Sequence, residues 1–243
     1  MSDTFPTQAL DWLVPKESER MLAIGSLAMV KRFRGHKLTI VDSDVDQLKK
    51  ARAALPGAVV VAASSALLPF ADQIFDVVFV SQHVHRLDAP AAIAEFARVL
   101  KPGGQLAIQQ TVRDDSVPWV RRLAAILRQT DPDAMSGEDQ LAGIGALAAN
   151  RHFPRVEQRD FRMWVPAAKA DLLDQVAALP GVQACDSRRR EEVLSAVSRL
   201  YDSSARVPDP LLLPYKVCCW RAPVEAVFRA PARPVDDGFN IPL

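Results

Sequence analysis

The sequence predicts one α/β domain built on a doubly wound, seven-stranded, mostly parallel sheet with helices on both faces. Three observations carry that expectation. Short apolar runs of strand length alternate with longer stretches of helical spacing. The runs of the first half are continuous and rich in β-branched residues, as strands buried on both faces require. Their carboxyl ends carry small or polar residues (Gly25, Asp42, Ser81), at the edge where such sheets bind ligands.

The first run is Met21-Leu22-Ala23-Ile24, ending at Gly25, and the second is Leu38-Thr39-Ile40-Val41, ending at Asp42. The third covers residues 58–62, the fourth 75–80 and the fifth 105–108. Between them, residues 45–55 have helical spacing, start after Asp44 as a plausible N-cap and stop before Pro56-Gly57. A second helical stretch, 93–100, breaks at Pro102-Gly103-Gly104, and a third follows Pro118 over 119–127. In the second half, residues 131–139 read as a polar loop and 141–149 as a short helix. Residues 156–165 alternate like a strand, 172–179 and 193–201 read as helices, and 215–220 as the last strand. The run Arg188-Arg189-Arg190 reads as a solvated helix start. Residues 1–222 are expected to form the domain, with helices within about 141–201 covering the strand ends. Residues 223–243, rich in proline and without periodicity, are expected to form an extended or disordered tail.

Composition narrows the function. Among 243 residues, Lys+Arg 30 against Asp+Glu 29 leaves a formal charge of +1. No domain-wide positive field is present to hold nucleic acid or an anionic membrane. The longest apolar stretch, residues 58–63, is too short to span a bilayer, and residues 1–10 lack a secretory pattern. Cys185, Cys218 and Cys219 have neither disulfide nor zinc spacing and read as reduced thiols in a cytoplasmic protein. No metal is expected.

Asp42, roughly 20 residues past the first strand's turn, is placed to accept both hydroxyls of a ribose. Asp44 already serves as the helix cap, so Asp42 is read as a nucleoside contact or a relic of one, in preference to a plain helix N-terminal charge. Three further segments are telling: Leu68-Pro69-Phe70-Ala71-Asp72, Phe75-Asp76-Val77-Val78, and Glu95-Phe96-Ala97-Arg98-Val99-Leu100-Lys101-Pro102-Gly103-Gly104. With them the chain resembles the class I S-adenosylmethionine-dependent methyltransferases that act on small molecules. The stretch from Ser81 to Asp88 is similar to the trans-aconitate methyltransferase-like branch, which Gln82, His85 and Asp88 match, whereas Arg86 replaces a tryptophan. The resemblance implies a Rossmann-like fold whose final strand runs antiparallel, and S-adenosylmethionine as cofactor.

In that family the first strand leads into acidic-x-Gly-x-Gly-x-Gly. This chain has Ala23 for the acid, keeps Gly25, and has Leu27 and Met29 for the other glycines; Ser64 stands for the acid after the third strand. The resemblance therefore implies cofactor contacts at Gly25, Asp42 and Ser64. It also implies a weakened loop, obstructed by Leu27 and Met29. Each lost charge-assisted hydrogen bond costs about 1.5–3 kcal/mol, so a dissociation constant above about 100 μM is expected.

Gln82 and His83 are candidate substrate contacts, and His85 a candidate general base toward a hydroxyl or carboxyl. Half-buried polar histidines remain an open alternative at both positions. Two functions follow. One is methyl transfer to a small molecule, with a carboxylic acid as one candidate; the other is a non-catalytic scaffold that binds a protein partner. The sequence leaves the oligomeric state open.

Overall fold

The computed structural model describes residues 5–33, 35–82, 89–131, 144, 150–205 and 210–225. In chain order the elements are α1 (Thr7–Leu13), β1 (Arg20–Gly25), α2 (Leu27–Val30), β2 (Lys37–Asp42), α3 (Val45–Ala54), β3 (Val59–Ala62), β4 (Phe75–Ser81), α4 (Ala89–Val99), β5 (Leu100–Arg113), α5 (Pro118–Leu127), β6 (Glu157–Ala167), α6 (Lys169–Ala177), α7 (Pro180–Gln183), α8 (Ser187–Ser204) and β7 (Leu211–Pro223). The sheet order is β3-β2-β1-β4-β5-β7-β6. The first five strands are mutually parallel, while β7 runs antiparallel to both β5 and β6.

Successive strand residues point to opposite faces, and the core divides accordingly. Leu22, Ile24, Val78, Val80, Leu106 and Ile108 face Ile93 and Phe96 of α4. Met21, Ala23, Val77, Phe79 and Ala107 face the other way, onto Leu13 of α1 and Met29 of α2. A third cluster joins α5, α6, α7 and α8 to the β6–β7 pair, with Leu123, Leu172, Val182 and Val197 packed around Ala167 and Leu213. Asp44 caps α3 by accepting from the backbone N–H groups of Asp46 and Gln47, as the sequence predicts.

The structure differs from the sequence reading at several points. β3 is an edge strand and only partly covered: Val60 and Val61 pack half-buried against the core on the two faces, while Val59 is 59% exposed. β5 begins at Leu100, directly after α4, and takes in the Pro102-Gly103-Gly104 turn. Gly103 has φ +76°, and a Cβ at Gly104 would stand 2.8 Å from the Lys101 carbonyl oxygen, so both glycines are sterically required. Helix α8 starts at Ser187 with the Asp186 carboxylate accepting from Arg189 N–H. The arginine triplet therefore lies inside the helix, where its charges meet Glu192, Gln129 and the carbonyls of Val182 and Gln183. Of the helix expected over 141–149, Ile144 alone is described; it is helical and buried. Most of the expected tail lies outside the described residues.

Buried Cys218 and Cys219 point to opposite faces of β7. Burial above all, then the Asp160 carboxylate for Cys218 and its neighbouring thiol for Cys219, pushes both up to about 12. They are inert core thiols. No helix among the described residues is long and apolar enough to cross a membrane.

Candidate functional site

The carboxyl ends of β1, β2, β3 and β4 open into one cleft of about 770 Å³, lined among others by Gly25, Ser26, Leu27, Asp42, Asp44, Ser64 and Gln82. Parallel strands joined by crossovers bring their carboxyl ends to the same edge, and the order β3-β2-β1-β4 gathers these residues there.

Gly25 has φ +105°, and a Cβ on it would overlap the Ser81 carbonyl oxygen. The glycine thus permits β1 to leave the sheet hard against β4, whatever the cleft binds. The next residue fixes that crossing, since Ser26 N–H lies 2.9 Å from Ser81 Oγ and 3.2 Å from its carbonyl oxygen. At the end of β2, Asp42 Oδ1 accepts from Asp44 N–H at 2.8 Å, and its second carboxylate oxygen is uncommitted among the described residues. Exposed Ser64 accepts from Ala66 N–H at 3.2 Å. Gln82 holds φ +56°, a left-handed conformation rare outside glycine. Its N–H donates to Gln109 O at 2.9 Å. Sequence reasoning missed Ser26, Ser65 and Gln47 as lining residues; their polar character after a strand end or in a first helical turn was the available signal.

The three altered loop positions part company in space. Leu27 is half-buried and lines the cleft. Met29, expected as a second obstruction, is instead buried in the core with Val30, Phe33 and Phe79, since the short helix α2 turns that side chain inward. Ala23 is fully buried on the sheet face opposite cleft-lining Ile24. His83 and His85 lie outside the described residues.

The telling motifs of the sequence have a structural role around this cleft. The Arg98 guanidinium donates to Glu95, to Asp72 and to the carbonyls of Leu68 and Phe70, while Glu95 accepts from Leu68 N–H at 2.7 Å. The hydrogen bond that Arg98 donates to Glu95 chiefly, against burial and with help from Asp72, raises the Arg98 pKa further. This network pins the loop that continues from Ser64 onto α4.

Residues 22–108 match the family model described as a methyltransferase domain. An uncharacterized methyltransferase of Mycobacterium tuberculosis is 32% identical over 228 residues, covering 90% of this chain and 89% of that protein. The chain belongs to the class I S-adenosylmethionine-dependent methyltransferases. A ubiquinone/menaquinone biosynthesis C-methyltransferase of Paracoccus denitrificans is 32% identical over 117 residues, 42% of this chain and 46% of that protein. Among solved structures, a type II methyltransferase candidate of Anaeromyxobacter dehalogenans superposes with a TM-score of 0.64 at 19% identity, covering 93% of this chain and 98% of that one. A phosphoethanolamine N-methyltransferase of Haemonchus contortus, solved with S-adenosylhomocysteine, reaches 0.50 at 17% identity over 90% of this chain and 52% of that one. These two likenesses concern the fold.

The methyltransferase cleft suits the family's sulfonium cofactor in charge. Asp42 and Asp44 are the charged residues among those lining it, and they complement a cationic ligand.

Proposed function

We propose that this methyltransferase holds S-adenosylmethionine in the cleft and methylates a small molecule. The observation that carries the reading is the meeting of Gly25, Asp42 and Ser64 in one cleft at the strand ends. Asp42, with an oxygen to spare, accepts the ribose hydroxyls. Ser64 provides one hydrogen bond to the adenine side. Gln82, fixed by its bond to Gln109, and His83 contact the substrate, and His85 takes a proton from it. The bound cofactor supplies a methyl group on a sulfonium, and the rate then depends on how well the chain aligns the nucleophile with it.

Affinity for the cofactor is weak, with a dissociation constant above about 100 μM. Half-buried Leu27 stands in the cleft where the family has glycine, and that is also the observation favouring the second reading, a non-catalytic scaffold. Calorimetric titration with S-adenosylhomocysteine separates them. The folded protein is expected to bind, and Asp42→Ala to weaken binding at least tenfold, about 1.4 kcal/mol. A folded protein that binds neither S-adenosylhomocysteine nor S-adenosylmethionine at millimolar concentration is a scaffold.

A further inference from the structure

The two margins of the sheet differ. β3 at one margin is four residues long, whereas β6 at the other runs for eleven, in unbroken register with β7. Short edge strands and bulges are common protections against pairing with another chain, and β6 has neither. Its Gln158, Asp160, Arg162, Trp164 and Pro166 are all exposed, and among the described residues no strand pairs with its outer side.

The register fixes which backbone groups of β6 face outward. Asp114 N–H donates to Pro214 O and Val224 N–H to Gly104 O, so the even-numbered residues of β7 direct their backbone groups at β5. Its odd-numbered residues then serve β6, where they meet odd-numbered partners. The N–H and C=O groups of Gln158, Asp160, Arg162 and Trp164 are left pointing away from the sheet. Pro166, which has no N–H, falls in the same outward set and so interrupts no bond to β7. The side chains of these outward residues share one face of the strand. There Asp160 meets Lys216 at 3.7 Å and Arg162 meets Asp114 at 3.6 Å, too long for hydrogen bonds. The Arg162 side chain is 71% exposed.

We infer that β6 is a docking edge for a second copy of this chain, whose own β6 adds antiparallel to it and centred on Phe161. Such a pair has a two-fold axis, so residue i meets residue j and j meets i. Charge selects the register. Centring on Arg159, Asp160 or Arg162 sets that residue against its own like charge, which destabilises a cross-strand pair. Centring on Met163 sets Asp160 against Pro166, which has no N–H to give. Centring on Phe161 sets Asp160 against Arg162 of the second copy, and Arg162 against its Asp160. It also lays Gln158 against Trp164, which is 43% exposed in the single chain. These are the residues with outward backbone groups, so each opposed pair exchanges both backbone hydrogen bonds. On the other face Phe161 meets itself and Arg159 meets Met163, with no like charges opposed. The sheet then runs continuously through both copies.

Sedimentation equilibrium of the full chain tests this. Pairing along one strand is a small interface, so a dimer is expected with a dissociation constant on the order of 10–100 μM. Asp160→Arg or Arg162→Asp alone opposes like charges and should weaken association about tenfold or more. The two substitutions together should restore it, and thermal melts of dilute protein check that each variant folds. Hydrogen exchange on the parent chain reads the edge directly. At concentrations where the dimer prevails, the amides of Gln158, Asp160, Arg162 and Trp164 should exchange slowly, and on dilution they should exchange as exposed groups. A chain still monomeric at about 1 mM, a dimer that both single substitutions leave intact, or a double substitution that fails to restore association would each overturn the inference. Protection of those amides that persists on dilution would show that a segment of the same chain covers the edge, and would overturn it as well.

Discussion

Single positions in the loop after β1 differ in what they do, although in sequence they look like one set of losses. Leu27 alone of Ala23, Leu27 and Met29 lines the cleft. Leu27→Gly is therefore expected to tighten S-adenosylhomocysteine binding about tenfold or more, equivalent to ~1.4 kcal/mol, read by calorimetry after a melt has confirmed folding. Met29→Gly should gain nothing for the cofactor, because it hollows a core shared with Phe33 and Phe79; such truncations cost about 2–5 kcal/mol. Ala23→Asp, the substitution that restores the family's acid on paper, buries a carboxylate among Met21, Val77 and Phe79. An unpaired buried charge costs about 3–5 kcal/mol. Urea unfolding should therefore show severe destabilisation, and a folded Ala23→Asp protein with improved affinity would refute this placement. The residue types at 23, 27 and 29 were plain in the sequence. Which of them faces the ligand depended on strand alternation and on the turn of α2, neither of which composition reveals.

Elements are held in register at the amino-terminal edge of the sheet by one carboxylate. Asp76 of β4 accepts from Glu19 N–H at 3.0 Å and Arg20 N–H at 2.8 Å, and pairs with Lys101 Nζ at 2.6 Å. It therefore ties the start of β1 and the turn in β5 to β4. Burial pushes its carboxyl up, but the Lys101 ammonium and the two backbone donors together outweigh burial and hold it below the usual aspartate value. A depressed carboxylate contributes stability above its unfolded pKa, and that contribution disappears as pH falls through the lower folded value. Asp76→Asn is thus expected to lower the urea midpoint at neutral pH. Its deficit against the parent should shrink as the pH drops below the ordinary aspartate range. A deficit unchanged across that range would assign Asp76 a role that does not depend on its charge. The Phe75-Asp76-Val77-Val78 segment was visible in the sequence as a family signature; its use as a clamp required the neighbouring strand starts.

Over the whole molecule, ligand binding and stability are linked. With a dissociation constant no tighter than about 100 μM, 1 mM S-adenosylhomocysteine stabilises the fold by at most ~1.4 kcal/mol. For a chain of this size that raises the melting midpoint by at most roughly 3–6 °C. Asp42→Ala should remove most of the shift while leaving the unliganded melt nearly unchanged, because Asp42 makes one side-chain hydrogen bond, to a residue two positions on. A large loss of stability in Asp42→Ala without ligand would mean that the carboxylate serves the fold instead.

The sequence by itself determined the seven strands, the parallel run of the first five, the helix cap at Asp44 and the ligand edge, because periodicity, capping and β-branched runs are local properties of the chain. Its reading failed where burial depends on neighbours distant in sequence. β3 looked like an interior strand until the sheet order placed it at the margin. Gly25 looked like a concession to a cofactor, yet Ser81, 56 positions on, already demands it. Only the tertiary structure, by deciding which faces are covered and which side chains reach the cleft, separates residues that support the fold from residues that await a ligand.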